Sequence, residues 1–267
     1  MDTTFSDLPL KDQTGNPVRL SFPPHRIVSL VPSQTELLFD LGLSDEIVGV
    51  TKFCIHPVND KTRVGGTKKL HIDQIRELKP DLIIANKEEN EREQILSLMA
   101  DFPVWVTDVH DLESALEMIS QISAITDRAA KGVQICSEIK TAFEQLAFFS
   151  KNGPPHKKVA YFIWKDPWMV AGGDTFISAM LEQCGFENVF KKRTRYPVIT
   201  LDELQYTDCQ LVLLSSEPFP FKAAHFPFFT SLPVQLVDGE MFSWYGSRIL
   251  RAAAYFRDNF YQNQAFF

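Results

Sequence analysis

The sequence predicts an α/β protein of two like lobes, each a parallel sheet covered by helices, joined by one long helix. Three observations predict it. Short apolar runs alternate with amphipathic segments along the chain, the pattern of strands connected by helices. The run IDQIRELKPDLIIA, Ile72 to Ala85, returns in altered form as LDELQYTDCQLVLL, Leu201 to Leu214, and ELLFDLGLSDEIV after the first strand resembles the later AMLEQCGFENVF. Between Val104 and Asn152 there is no proline and one glycine, Gly132, and much of the stretch has helical periodicity. The expected division is an N-terminal lobe over residues 1–125, a connecting helix over 126–151 and a C-terminal lobe over 152–267.

Taken in order, RIVSLV (Arg26–Val31) is a strand ended by Pro32, and Ser33-Gln34-Thr35-Glu36 has the spacing of a capping box that starts a helix. Gly42 closes that helix, because glycine adopts the left-handed conformation of a helix end at little cost. IVGV (Ile47–Val50) is the next strand. After the Gly65-Gly66 turn, a helix over His71–Leu78 leads into the strand DLIIA (Asp81–Ala85), then a helix over Glu91–Ala100 and the strand VWVT (Val104–Thr107). Val133, Ile135, Ile139, Phe143, Leu146 and Phe149 recur at helical spacing from Thr126 to about Ser150, and a helix of that length spans ~36 Å. The turn Asn152-Gly153-Pro154-Pro155 ends it. The second lobe runs through KVAYFIW, a helix over Thr175–Gln183 closed by Gly185, a second capping box at Thr200–Glu203, the strands LVLL and VQLV, and a last helix over Tyr245–Phe260.

Composition narrows the function. A chain of 267 residues, 45% hydrophobic, buries a real core, and a net charge of −7 argues against a general nucleic-acid binder, which needs a basic face to neutralise phosphates. Cys54, Cys136, Cys184 and Cys209 form no C-x-x-C pair and read as buried thiols. The histidines are scattered, without zinc-like spacing. No run reaches the length of a membrane span, and the first residues show no apolar run of signal-peptide length. As written, the chain reads as cytoplasmic; with a signal already removed it is periplasmic or on the cell surface, and the sequence leaves both open.

PHRIVSLVPSQTELLFDLGLSDEIVGV, the spaced VGGTKKLHIDQIRELKPDLIIA, the long helix and the closing VDGEMFSWYGSRI together resemble the helical-backbone periplasmic binding proteins. These are substrate-binding components of ABC importers for cobalamin, ferric siderophores and haem. The resemblance covers about residues 24 to 262 and is similar to the cobalamin-binding branch in the first lobe, less so in the second. It implies two Rossmann-like lobes bridged by one rigid helix, with the ligand between them. It also implies a monomer with no catalytic residues, no intrinsic cofactor and a metal, cobalt or iron, carried inside the ligand.

In parallel α/β sheets, loops at the carboxyl ends of strands line the binding crevice. That places Ser33, Phe53, His56, Thr67, Asn86 and Lys87 in the first lobe's site. Trp164, Trp168, Arg195, Met241, Trp244 and Tyr245 fall in the second. A flat ring ligand needs apolar faces, which Phe53 and the three tryptophans supply, although each ring could equally be core. Asn86 stands where the cobalamin-binding branch tends to have an aromatic residue, and Trp168 where that branch has one too. His56 is a candidate axial ligand to a ligand's metal, or an exposed histidine before Pro57. The run Lys191-Lys192-Arg193-Thr194-Arg195 either neutralises an anionic ligand or forms a solvated turn. The family docks its permease through acidic side chains, for which Glu91, Glu93 and, in the second lobe, Glu217 are candidates.

Two other readings remain in view. AGGDTF (Ala171–Phe176) superficially resembles a sugar-kinase signature in which Asp174 would be the base; alternatively the glycines form a turn and Asp174 or Thr175 caps a helix. A cytoplasmic ligand sensor or carrier on the same fold is the other.

Overall fold

The structure is a computed structural model that describes residues 10–55, 58, 60–152 and 157–262. His56 and the expected Gly153-Pro154-Pro155 turn lie outside the described residues. In chain order the strands are β1 (Leu10–Lys11), β2 (Pro17–Val18), β3 (Ile27–Ser29), β4 (Ile47–Val50), β5 (Thr62–Arg63), β6 (Leu82–Asn86), β7 (Val104–Thr107), β8 (Lys158–Trp164), β9 (Met169–Val170), β10 (Glu187–Asn188), β11 (Leu211–Ser215) and β12 (Val234–Val237). The α-helices are α1 (Pro32–Asp40), α2 (Ile72–Leu78), α3 (Arg92–Met99), α4 (Leu112–Ile125), α5 (Ala129–Asn152), α6 (Phe176–Gln183), α7 (Leu201–Gln205), α8 (Glu240–Ser243) and α9 (Arg248–Arg257).

The chain forms two compact units. The first holds the described residues through Val109, Glu113–Ser137 and Tyr245–Arg248; the second holds His110–Leu112, Glu138–Trp244 and the residues from Ile249 on. The 24-residue α5 is thus counted partly in each.

In the first unit the sheet order is β5-β4-β3-β6-β7, all parallel. β3, β6 and β7 are buried along their whole length, as expected of strands covered on both faces. Ile75 of α2 and Leu98 of α3 join Val28, Leu30, Ile83 and Val104 in one core. The outer edge of β7 is covered by the β1–β2 turn: Asp12 Oδ2 accepts from the Val106 N–H at 3.2 Å and Gln13 Oε1 from the Asp108 N–H at 3.1 Å.

In the second unit the parallel order is β10-β8-β11-β12, with β9 antiparallel against β8. The repeats in the sequence now have a structural meaning. β3 and β8 each start the parallel sheet of a unit; α1–β4 and α6–β10 lay the next strand on one side, while α2–β6 and α7–β11 lay another on the other side. The order β4-β3-β6-β7 therefore matches β10-β8-β11-β12 strand for strand, and β5 is an addition to the first unit.

Three sequence expectations are corrected. The Ser33–Glu36 box does not cap α1: Pro32 starts the helix after Val31, which offers no side-chain cap. The Glu36 carboxylate instead takes a fork from Arg248, Nε at 2.8 Å and Nη2 at 2.9 Å, with both side chains buried. A long-range bidentate ion pair holds that carboxylate better than one backbone N–H would. The Thr200–Glu203 box does form, in both directions. Helix α5 begins three residues late because Asp127 is left-handed (φ 59°), and its buried stripe is Ile135, Ile139, Phe143 and Leu146, with Val133 exposed. The last helix begins at Arg248 rather than Tyr245, after the separate short α8.

Candidate functional site

The strand order of the first unit reverses between β3 and β6, so the crevice expected of a doubly wound sheet lies at the loops that follow them. Two asparagines shape these loops. Asn86 donates its amide to the Thr107 carbonyl (3.2 Å) and hydroxyl (3.1 Å), while its Oδ1 accepts from the Glu88 and Glu89 N–H groups at 2.8 and 3.0 Å. Asn90 accepts from the Asn86 N–H and donates to the carbonyls of Leu30 and Thr67, joining the loops after β3, β5 and β6. Asn86 is buried with these bonds made, and they fix the loop. Lys87 is drawn aside to Asp108 at 2.5 Å. Ser33 and Thr67 are almost wholly buried beside these loops, whereas Phe53 leaves half of its surface exposed.

Next to this network, the loops after β4 and β5 enclose a cavity of about 610 Å³. Phe53 and Lys52 wall it on one side, Gly65 to Lys69 on the other, with Arg63 and His71 completing the lining. Gly65 has a φ of +98°, and a Cβ there would stand 2.4 Å from the Lys69 carbonyl, so only glycine makes this turn.

In the second unit the order reverses between β8 and β11, which brings the Trp164–Trp168 loop and the segment from Ser216 to the carboxyl end of the same sheet. Trp164 is 39% exposed and meets Phe219 edge-on, ring centres 5.7 Å apart. Trp168 is different. It stacks parallel to Phe221 (6.2 Å, 5°) and packs edge-on against Phe162, Phe228 and Phe229, so it is half-buried against the core under the loop. Lys165 Nζ stands over two of these rings, 5.6 Å from Trp168 and 5.3 Å from Phe228.

Glu217 follows β11 and turns inward. Its Oε1 accepts from the Ser243 hydroxyl at 2.8 Å and the Trp244 indole N–H at 3.0 Å, and burial, partly offset by these bonds, raises its pKa above the ordinary carboxylate value. Glu217 therefore anchors α8 instead of offering an exposed acid. Trp244 is buried by the same bond, Tyr245 is buried too, and Met241 on α8 is half-buried. On the first unit Glu91 and Glu93 are exposed at the start of α3, Glu91 3.5 Å from Lys68.

Two cations of the basic run are paired locally: Lys191 with Glu187 at 2.9 Å and Arg193 with Glu203 at 3.0 Å. Its backbone closes the AGGDTF segment. The Gly172 and Gly173 N–H groups donate to the carbonyls of Arg195 and Arg193, both at 2.8 Å, and a Cβ on Gly173 would fall 1.9 Å from the Lys191 carbonyl. Thr175 caps α6 by accepting from the Ser178 N–H at 3.2 Å, and Asp174 accepts from the Arg195 N–H. These glycine N–H groups are bonded to protein carbonyls, so the phosphate cradle of a kinase is not formed here.

Residues missed by the sequence reading are Arg63 and Lys69 in the first unit and Phe219 and Phe228 in the second. Arg63 sits on a two-residue strand, too short for any periodicity. The Phe residues had a signal: five phenylalanines between Phe219 and Phe229, directly after a strand. Among the described residues no group of three His, Cys, Asp or Glu side chains could hold a metal ion, and no helix is long and apolar enough to cross a membrane.

The family model described as periplasmic binding protein matches residues 27–224. A vitamin B12-binding protein of Vibrio campbellii (strain ATCC BAA-1116) is 26% identical over 188 residues, 68% of this chain and 67% of that one. An uncharacterized ABC transporter substrate-binding lipoprotein of Bacillus subtilis (strain 168) is 28% identical over 218 residues, 78% of this chain and 67% of that one. Among solved structures, the periplasmic vitamin B12 binding protein of Vibrio cholerae superposes with a TM-score of 0.79 at 21% identity, covering 91% of this chain and 100% of its own. A periplasmic heme binding protein from Pseudomonas aeruginosa gives 0.80 at 20%, covering 90% and 94%. At such identities the structural likeness concerns the fold.

Proposed function

Because the chain belongs to the periplasmic binding protein family, we propose that it is the substrate-binding component of an ABC importer and that its cargo is a metal chelate. One observation carries this reading. An exposed aromatic ring stands at the carboxyl end of each sheet, Phe53 on one and Trp164 on the other, which is the surface a flat ring ligand needs. The relatives named as vitamin B12-binding and substrate-binding proteins support it over two thirds or more of the chain. In this reading Phe53 is the contact ring offered by the first unit, with Ser33 and Thr67 buried beside it, and Trp164 the one offered by the second, which also carries Met241 and Arg195. Asn86, Trp168, Trp244 and Tyr245 hold the loops that present them. Cobalt or iron belongs to the cargo, and His56 is the residue proposed to coordinate it axially.

Glu91 and Glu93 are the acids proposed to meet a permease. The location that follows is outside the cytoplasmic membrane, periplasmic or tethered at the surface. A carrier or sensor inside the cell would keep ligand affinity and show no dependence on Glu93.

The test is a tryptophan-fluorescence titration with cobalamin, cobinamide, haem and several ferric siderophores, checked by calorimetry. Saturable one-to-one binding of one class at micromolar affinity or better is the expected result. Absence of binding across the panel would remove the metal-chelate reading. With the ligand in hand, Glu93→Lys should leave affinity unchanged and lower importer-dependent uptake.

A further inference from the structure

We propose that the cavity beside Phe53 is an oxyanion-binding subsite, and that the cargo is a polyanion carrying two or more carboxylate, catecholate or similar groups, not a neutral corrinoid. This rests on the ligand-capture reading above and names the ligand's charge class.

Lys52, Arg63, Lys68 and Lys69 all line this cavity of about 610 Å³, with His71 beside them, and no carboxylate is among its described lining residues. The chain as a whole has 34 acidic against 27 basic residues, so four cations around one hollow run against its general charge. Their charges are poorly compensated. Arg63 Nη1 donates to two backbone carbonyls, Thr51 at 2.9 Å and Cys54 at 2.6 Å, which fix its position and leave its charge. Lys68 has Glu91 at 3.5 Å, but both side chains are more than half exposed and such a pair is weak. Lys52 Nζ stands 4.9 Å from the centre of the Phe53 ring, and no described carboxylate lies within ion-pair distance of Lys52 or Lys69. In the second unit Lys191 and Arg193 each have a carboxylate at 2.9 and 3.0 Å, pairs that are also largely exposed, whereas Lys52 and Lys69 have no described carboxylate so near.

The hollow is also rigid. The Gly66 and Lys69 backbones bond each other in both directions (2.8 and 3.2 Å), the His71 N–H reaches the Val64 carbonyl, and Gln94 ties Lys68 and Leu70 to α3. Weakly compensated cations on loops whose backbone is held in place favour a ligand that brings negative charge, because a neutral one would cover them and return nothing for the lost hydration. Phe53 gives the same ligand an apolar face.

The experiment uses the full chain and two charge-neutralising substitutions at exposed side chains, Lys52→Gln with Lys69→Gln, beside a charge-keeping control, Lys52→Arg with Lys69→Arg. Circular dichroism and a thermal melt check that both fold. Calorimetry at 50 and 500 mM NaCl then measures haem, with two propionates, ferric citrate, and cyanocobalamin as the neutral probe. The expected result is binding of haem or ferric citrate, weakened at least tenfold by the Gln pair, kept by the Arg pair, and more salt-sensitive in the wild type than in the Gln pair. Preference for haem over ferric citrate would identify a ring carboxylate, and the reverse an open chelate. An anionic probe bound equally by all three proteins would overturn the subsite. Cyanocobalamin bound alone, with equal affinity throughout, would overturn the charge class and leave the capture reading standing. No binding of any of these probes by the wild type, with cobinamide and the ferric siderophores of the titration above also unbound, would overturn both.

Discussion

The two units arrange four strands in the same order and finish them with opposite chemistry. At the carboxyl end of the first sheet the loops are held by amide and carbonyl bonds through Asn86 and Asn90, beside a cation-lined hollow. At the carboxyl end of the second they rest on a bed of aromatic rings, Trp168 over Phe221, Phe228 and Phe229. Strand order decides where loops gather, and it does not decide what they offer. A polar network fixes donors and charges at set positions; a ring cluster presents area with little direction.

The comparison can be broken hardest at its buried charge. Arg248→Met leaves Glu36 buried without its fork and should cost about 3–5 kcal/mol, read from urea unfolding; pairing it with Glu36→Leu should recover part of the loss. On the aromatic side, Trp168→Ala should cost about 2–3 kcal/mol of stability, somewhat under the ~3–5 kcal/mol of a fully buried ring, because Trp168 is only half-buried. Trp164→Ala, by contrast, should leave the melting temperature nearly unchanged and weaken ligand binding by about 1–3 kcal/mol, measured by calorimetry. An equal effect of the two tryptophan variants on affinity would erase the distinction between bed and contact surface.

Smaller effects sharpen it. Thr200→Ala removes a formed capping box and should cost about 1 kcal/mol, whereas Ser33→Ala, in the same sequence pattern, caps nothing and should show no loss of that kind in thermal melts. The smallest expected effect is a slope. Glu217 has a native pKa raised by burial, so between its unfolded and folded values the native state holds a proton that the unfolded state has released, and stability falls as pH rises through that window. Glu217→Gln keeps an oxygen acceptor for Ser243 and Trp244, and should flatten this slope in melts taken from pH 4 upward.

Much of the fold was legible. VWVT is β7 and KVAYFIW is β8, residue for residue, because buried parallel strands are continuous apolar runs. Two-residue strands such as β5, β9 and β10 carry too few residues to show a period. The site was legible as a set of loops and much less as a set of contacts. Phe53 and Trp164 stand exposed, while Asn86, Trp244 and Glu217 turned out to be bonded inward, since a loop residue's partners come from segments far away in sequence.

The sequence by itself determined the duplicated α/β plan, the order of most of its longer elements and the membership in a binding-protein family, because apolar periodicity and capping signals act over a few residues. Only the tertiary structure decided which of two identical capping patterns would form, which cations would be matched and which left over, and which tryptophan would be core. Those outcomes depend on Glu36 meeting Arg248, 212 residues away, and on Arg193 meeting Glu203 while Lys69 meets no described carboxylate. Long-range partners compete with local ones for the same polar groups, and the stronger, bidentate or better-buried bond wins.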